Sequence, residues 1–200
     1  MYWRPTRALI PAALPFCTEA AAPPPPIPAP PPSSWAAEQV SQAISAGIVP
    51  DSLQSQYTQP TTRAQFCALA VEVYETVKGA EITQRATFTD TTDVNVQKMG
   101  ALGIVTGVGG GKFNPDGTLT REQAATMLSR LAEAVGKPLP AQAPTFADNA
   151  SVSSWAFDAV GQMQASGIMG GVGSNTFAPQ NSYSREQSII TMLRLYDTVK

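Results

Sequence analysis

Three arginines stand where a helix should resist a positive charge. Each follows a hydroxyl residue and precedes a glutamine by two positions: Thr62-Arg63-Ala64-Gln65, Thr120-Arg121-Glu122-Gln123 and Ser184-Arg185-Glu186-Gln187. A hydroxyl residue with glutamine three positions on is a capping box, so each tetrapeptide predicts a helix start. The first helical turn carries partial positive charge and prefers Asp or Glu, so arginine there costs about 0.3–1 kcal/mol. That cost repeated three times in one chain implies a return. A guanidinium fork beside free helix-terminal N–H groups makes a receptor for a carboxylate or a phosphate. The competing reading is an internal partner, for which Asp90 and Asp148 in Phe88-Thr89-Asp90 and Phe146-Ala147-Asp148 are the candidates. The two readings are compatible if the arginine has donors to spare.

Other chemistry is poorly provided for. The chain has no histidine, which removes the commonest general base and metal ligand together with every Ser-His or Cys-His arrangement. Glu122 and Glu186 fall in different repeats and do not suggest a paired-carboxylate site. Asn114, Asp116, Gly117 and Leu119 occupy positions 3, 5, 6 and 8 of a calcium loop, but its first position is then Lys112 and its twelfth Gln123, so calcium is rejected. Gly107 to Lys112 is too short for a phosphate loop, Phe113 stands where Ser or Thr is needed, and no strand precedes it. No catalytic residue, metal ligand or cofactor is therefore expected, and the chain is read as not an enzyme. A net charge of −2 and a pI near 5.1 leave no electrostatic footprint for nucleic acid. Cys17 and Cys67 give neither a disulfide framework nor zinc spacing, and Cys67 is expected to be a small buried apolar residue.

The elements that carry the arginines recur. Gly47-Ile48-Val49, Gly103-Ile104-Val105 and Gly167-Ile168-Met169 each end a helix-like stretch, where a residue of positive φ is best supplied by glycine. Ten residues after each glycine comes an aromatic (Tyr57, Phe113, Phe177). Apolar residues follow at helical spacing from each arginine: Ala70 and Val73, Leu128 and Leu131, Met192 and Leu195. Each repeat therefore reads helix, loop, helix, and none is large enough to bury its own apolar faces. The fold is expected to be all-α, with repeats over 34–79, 80–138 and 139–200 packed on one another. Two of the three loops are rich in glycine, at Gly107 to Gly111 and Gly170 to Gly173, and either expose backbone to a ligand or merely turn tightly. The first loop has Pro50-Asp51-Ser52-Leu53 instead. Trp35 and Trp155 both lie twelve residues before their glycine, where the second repeat has Thr91. They suit either a core position or stacking on a sugar.

Residues 1–34 differ from the rest. Arg4 and Arg7 precede the apolar run Ala8 to Cys17 and then Ala20-Ala21-Ala22. Residues 1–22 thus read as a secretory signal peptide interrupted by Pro11 and Pro15, or as a piece of an upstream region. The run is too short and broken to span a membrane. Residues 23–33 are nearly all proline and predict an extended, disordered spacer.

Taken together, these residues resemble the S-layer homology repeat, whose pattern runs Phe-x-Asp, Trp-Ala, Gly-Ile-Val-x-Gly, Phe-x-Pro, Thr-Arg-Ala-Glu. The second copy is similar through Phe88, Asp90, Gly103, Gly107, Phe113, Pro115 and Thr120-Arg121-Glu122. The third is similar through Phe146, Asp148, Trp155-Ala156, Gly167, Gly171, Phe177, Pro179 and Ser184-Arg185-Glu186. The first keeps Trp35-Ala36, Gly47, Tyr57 and Thr62-Arg63-Ala64 but lacks the Phe-x-Asp lead-in. The resemblance implies a pseudo-threefold helical assembly with grooves between repeats. It implies secretion to the bacterial cell surface and non-covalent binding to a secondary cell-wall polymer attached to peptidoglycan, often through pyruvate-ketal sugars. By position, Arg63, Arg121 and Arg185 would hold the anion, Gly109 and Gly173 would offer backbone, and Trp35 and Trp155 would sit against the sugar. Gln65, Gln123 and Gln187 depart from the usual glutamate. No cargo domain falls in these residues. The alternative is a structural or partner-binding repeat whose grooves are closed by internal Arg–Asp pairs and which has no glycan affinity.

Overall fold

A computed structural model describes residues 30–200; the signal-peptide reading of 1–22 and most of the proline spacer lie outside the described residues. Among these residues six α-helices alternate short and long: α1 (Ala37–Ser45), α2 (Arg63–Lys78), α3 (Val94–Ala101), α4 (Arg121–Ala134), α5 (Phe157–Ala165) and α6 (Arg185–Val199). Among the described residues there is no strand, only isolated bridges. The all-α expectation holds.

The capping boxes start the long helices. Thr62, Thr120 and Ser184 each accept a hydrogen bond from the glutamine N–H three residues on, and each glutamine Oε1 accepts one from the cap residue's N–H. The short helices end before Gly47, Gly103 and Gly167, whose φ values of 72°, 71° and 68° are left-handed and unstrained only for glycine.

Closure is cyclic. The three long helices meet one another, and each short helix lies on the long helix of the preceding repeat: α3 on α2, α5 on α4, and α1 on α6. At the hub Leu119 N–H donates to Thr61 O (3.0 Å), Tyr183 N–H to Leu119 O (2.9 Å) and Thr61 N–H to Tyr183 O (2.8 Å). All three residues are fully buried, so this ring satisfies main-chain groups that water cannot reach. The apolar positions at helical spacing from each arginine all enter the core, including Val73, Leu128, Leu131, Met192 and Leu195.

A second clasp links repeats at the short helices. Glu186 accepts from Ser33 N–H (3.0 Å) and hydroxyl (2.9 Å), and Glu122 accepts from Ser153 N–H and hydroxyl, both at 2.9 Å. Neither α1 nor α5 has a side-chain cap of its own. Ala64 stands at the matching place on α2, and there α3 caps itself through Asp93, which accepts from Asn95 and Val96 N–H. The missing clasp and the local cap occur together.

Cys67 is fully buried, and burial pushes its thiol far above the ordinary range. In a Cys17→Ser chain, Cys67 is expected to resist a disulfide exchange reagent in native buffer and to react fully in denaturant. Rapid native labelling would mean that α2 opens readily.

Candidate functional site

The helix N-termini are already filled. Arg63 and Ala64 N–H donate to Gly117 and Pro115 O, Arg121 and Glu122 N–H to Asn181 and Pro179 O, and Arg185 and Glu186 N–H to Gln59 and Tyr57 O, at 2.8–3.1 Å. The third N–H takes the cap side chain. The expectation of free helix-terminal donors for an anion is therefore corrected: carbonyls of the next repeat's loop occupy them. This also offsets the penalty for arginine, because the helix end is surrounded by carbonyl oxygens rather than left bare.

The arginine heads clamp the same loops. Arg63 Nε donates to Phe113 O (2.9 Å) and Nη2 to Thr106 O (3.0 Å). Arg121 Nε donates to Phe177 O and Nη2 to Gly170 O, both at 2.7 Å. Each guanidinium also lies over the loop phenylalanine ring, 4.4 Å from Phe113 and 4.7 Å from Phe177, a cation–π contact that strengthens when water is excluded. Burial lowers the pKa of all three arginines, yet a guanidinium keeps its charge.

Neither Asp90 nor Asp148 forms the internal Arg–Asp pair. Asp90 accepts from Phe113 and Asn114 N–H (both 2.8 Å), and Asp148 from Phe177 and Ala178 N–H (both 2.7 Å). For Asp90 the Phe113 N–H is the largest influence and holds the carboxyl below its ordinary value. For Asp148 desolvation pushes upward, but the N–H groups of Phe177, Ala178 and Asp148 itself, with the Arg121 charge, together hold the carboxyl below its ordinary value. The Phe-x-Asp motif is thus a loop brace, with Phe88 against Phe113 and Phe146 against Phe177 at 5.3 Å between ring centres.

Two cavities lie between repeats, and each draws on all three. The first, about 240 Å³, is lined by Arg63, the Ile104–Val108 wall, α4 and Trp155. The second, about 520 Å³, is lined by Arg121, the Ile168–Val172 wall, α6 and Trp35. Trp35 and Trp155 are 58% and 55% exposed, which settles their place at a cavity mouth rather than in the core. Gly109 and Gly173 lie one residue beyond each wall and line neither cavity; their carbonyls accept Lys112 and Thr176 N–H to close the loop tips. The wall glycines Gly107 and Gly171 are required by the turn itself, since a Cβ there would come within 2.5 Å of Lys112 O and 2.8 Å of Thr176 O.

The third interface differs. Arg185 Nη1 donates to Ser55 O, and its Nε is buried without a partner; Arg185 lines neither cavity. Ser55 stands eight residues before its neighbour arginine, as Phe113 and Phe177 do, so Tyr57 is not their counterpart as spacing from the glycine suggested. The shortened first loop shifts it onto the Pro115 and Pro179 position, where its carbonyl serves Glu186.

Sequence spacing missed Arg130 and Arg194, which line the first and second cavities. Both fall nine residues after their helix's first arginine, a recurrence visible in the sequence. Among the described residues, ion pairs involve only Arg85, Lys98 and Lys200 as cations. Every arginine in the two cavities therefore lacks a carboxylate partner.

The family model of the S-layer homology domain matches residues 88–125 and 145–187. The chain is 36% identical over 95 residues to an endoglucanase of Bacillus sp. (strain KSM-635), covering 46% of this chain and 10% of that protein. It is 29% identical over 93 residues to the surface-layer 125 kDa protein of Lysinibacillus sphaericus (46% of this chain, 8% of that one). It is also 29% identical over 128 residues to a surface layer protein of Brevibacillus choshinensis (64% and 12%). The chain spans about a tenth of the length of these relatives.

Proposed function

This chain is an S-layer homology protein in residues 88–125 and 145–187, and from that premise we propose that it is a non-covalent cell-wall anchor. Its ligand is an anionic, pyruvylated secondary cell-wall polysaccharide attached to peptidoglycan, bound in the grooves between repeats, and its place is outside the cell at the bacterial surface. Arg63 and Arg121 would contribute to the positive field of the two cavities, whereas Arg185 lines neither of them. The observation that carries this reading is the composition of the two cavities: each is lined by arginines without a carboxylate partner and by a half-exposed tryptophan. A sugar bearing a carboxylate matches both, stacking an apolar face on indole while a guanidinium takes the charge. Among the described residues no helix is long and apolar enough to cross a membrane. The resemblance to surface layer proteins supports the same location.

One observation favours a second reading. The repeat arginines clamp loop carbonyls, as they would in a purely structural or partner-binding repeat with no glycan affinity. Co-sedimentation with purified sacculi separates the two. The anchor is expected to pellet with walls bearing pyruvylated polymer and to stay in solution with stripped walls. Equal pelleting with both, or none from folded protein, would leave the structural repeat.

A further inference from the structure

Each cavity holds a second cation that the repeat motif does not supply. We infer that Arg130 and Arg194 are the residues that hold the ligand's carboxylate, and that Arg63 and Arg121 are positioning residues that fix the loop wall opposite them. The assignment rests on the reading of these cavities as glycan sites.

The difference between the two kinds of arginine is what each head already touches. Arg63 and Arg121 spend Nε and Nη2 on loop carbonyls and one face on a phenylalanine ring. Arg121 is only 5% exposed. Their heads are fixed by the protein, and the walls they fix are Thr106–Gly107 and Gly170–Gly171. Arg130, by contrast, lines the first cavity with no hydrogen-bond or ion-pair partner among the described residues. Arg194 is held through Nε by Gln39 Oε1 at 3.1 Å and through Nη1 by Ile168 O at 3.4 Å; like Arg121 it keeps one terminal nitrogen free, but it is half-buried where Arg121 is buried. A half-buried guanidinium with donors unspent, in a cavity also lined by a tryptophan, can take an anion by charge-assisted hydrogen bonds.

The third interface supplies an internal comparison. Nine residues after Arg63 stands Glu72, which reverses the charge. The same interface has Thr91 in place of tryptophan and Pro50-Asp51 in place of glycine in its loop. All three elements of the cavity differ together there, so that interface lacks what an acidic sugar needs. The described residues accordingly offer an anion site in each of the two cavities.

The test uses the full chain with Arg130→Gln and Arg194→Gln, singly and together, and with Arg130→Lys. Affinity for sacculi bearing pyruvylated polymer is measured by sedimentation at two salt concentrations, with thermal unfolding as the check on folding. Each single glutamine variant is expected to bind about tenfold more weakly and the pair about a hundredfold, with melting unchanged for Arg130→Gln and every variant still folded at the assay temperature. Arg130→Lys should recover part of the loss, and the paired variant should lose most of the salt dependence. Polymer-dependent pelleting of the folded pair at wild-type affinity would overturn this assignment and leave the anchor reading intact. Pelleting of the wild type that ignores the polymer would overturn both.

Discussion

Replacing Arg121 with alanine is expected to lower the unfolding free energy by about 3 kcal/mol, measured by urea denaturation. The guanidinium makes two 2.7 Å bonds to carbonyls of the next repeat and lies over Phe177 and Tyr183, 4.7 and 5.7 Å from their ring centres. Without it, the carbonyl of buried Phe177 loses a charged donor that water cannot readily replace, and the exposed Gly170 carbonyl loses a second. A bond from a charged donor contributes about 1.5–3 kcal/mol, and a polar group left unpaired adds its desolvation. Arg63→Ala should lose roughly half as much, because Arg63 is more exposed and its bonds at 2.9 and 3.0 Å are longer. A loss below about 1 kcal/mol for Arg121→Ala would show that the clamp contributes little to the fold.

Gly161→Ala should be at least as damaging. Alanine normally stabilises a helix interior over glycine by about 1 kcal/mol. Here the added Cβ would fall 1.7 Å from Gln142 O and 2.8 Å from Gln142 C, so main chain must move apart at the junction of α5 and the segment leading into the third repeat. A loss of about 3 kcal/mol corresponds to a melting-temperature drop of roughly 6–12 °C in a domain of this size. Gly170→Ala is the control: no atom lies within 4 Å of its added Cβ, and it should melt within about 2 °C of the wild type. Equal melting of Gly161→Ala and the parent would mean that the 142–144 segment yields at little cost.

The parts legible in the sequence are those set by local chemistry. A capping box satisfies donors within four residues, so Thr62 and Gln65 announced α2 without knowledge of the fold. The glycines after the short helices were equally readable, since their φ is a property of one residue. The arginine targets were not, because the acceptors are main-chain carbonyls about fifty residues away and any side chain can sit on such a carbonyl. Tyr57 misled for a related reason: the first loop is shorter, and counting from the glycine instead of the arginine shifts its register. The tryptophans resisted assignment because each serves a cavity built mainly from the other two repeats, which only cyclic closure reveals. Arg130 and Arg194 were visible as a recurrence but indistinguishable from ordinary solvated helix residues until the cavity was known.

The hydrogen-bonded hub of Thr61, Leu119 and Tyr183 bears on how the chain acquires its structure. An open stack of repeats gains stability by increments, and folding can begin anywhere and spread. A ring cannot do so, because its last bond joins residues 61 and 183 and must wait for both ends. That pairing carries a large loop-closure entropy and a high contact order, which slow the folding step. Once closed, no repeat can fray without breaking two interfaces, so these short repeats should open and refold together as one cooperative unit rather than one at a time.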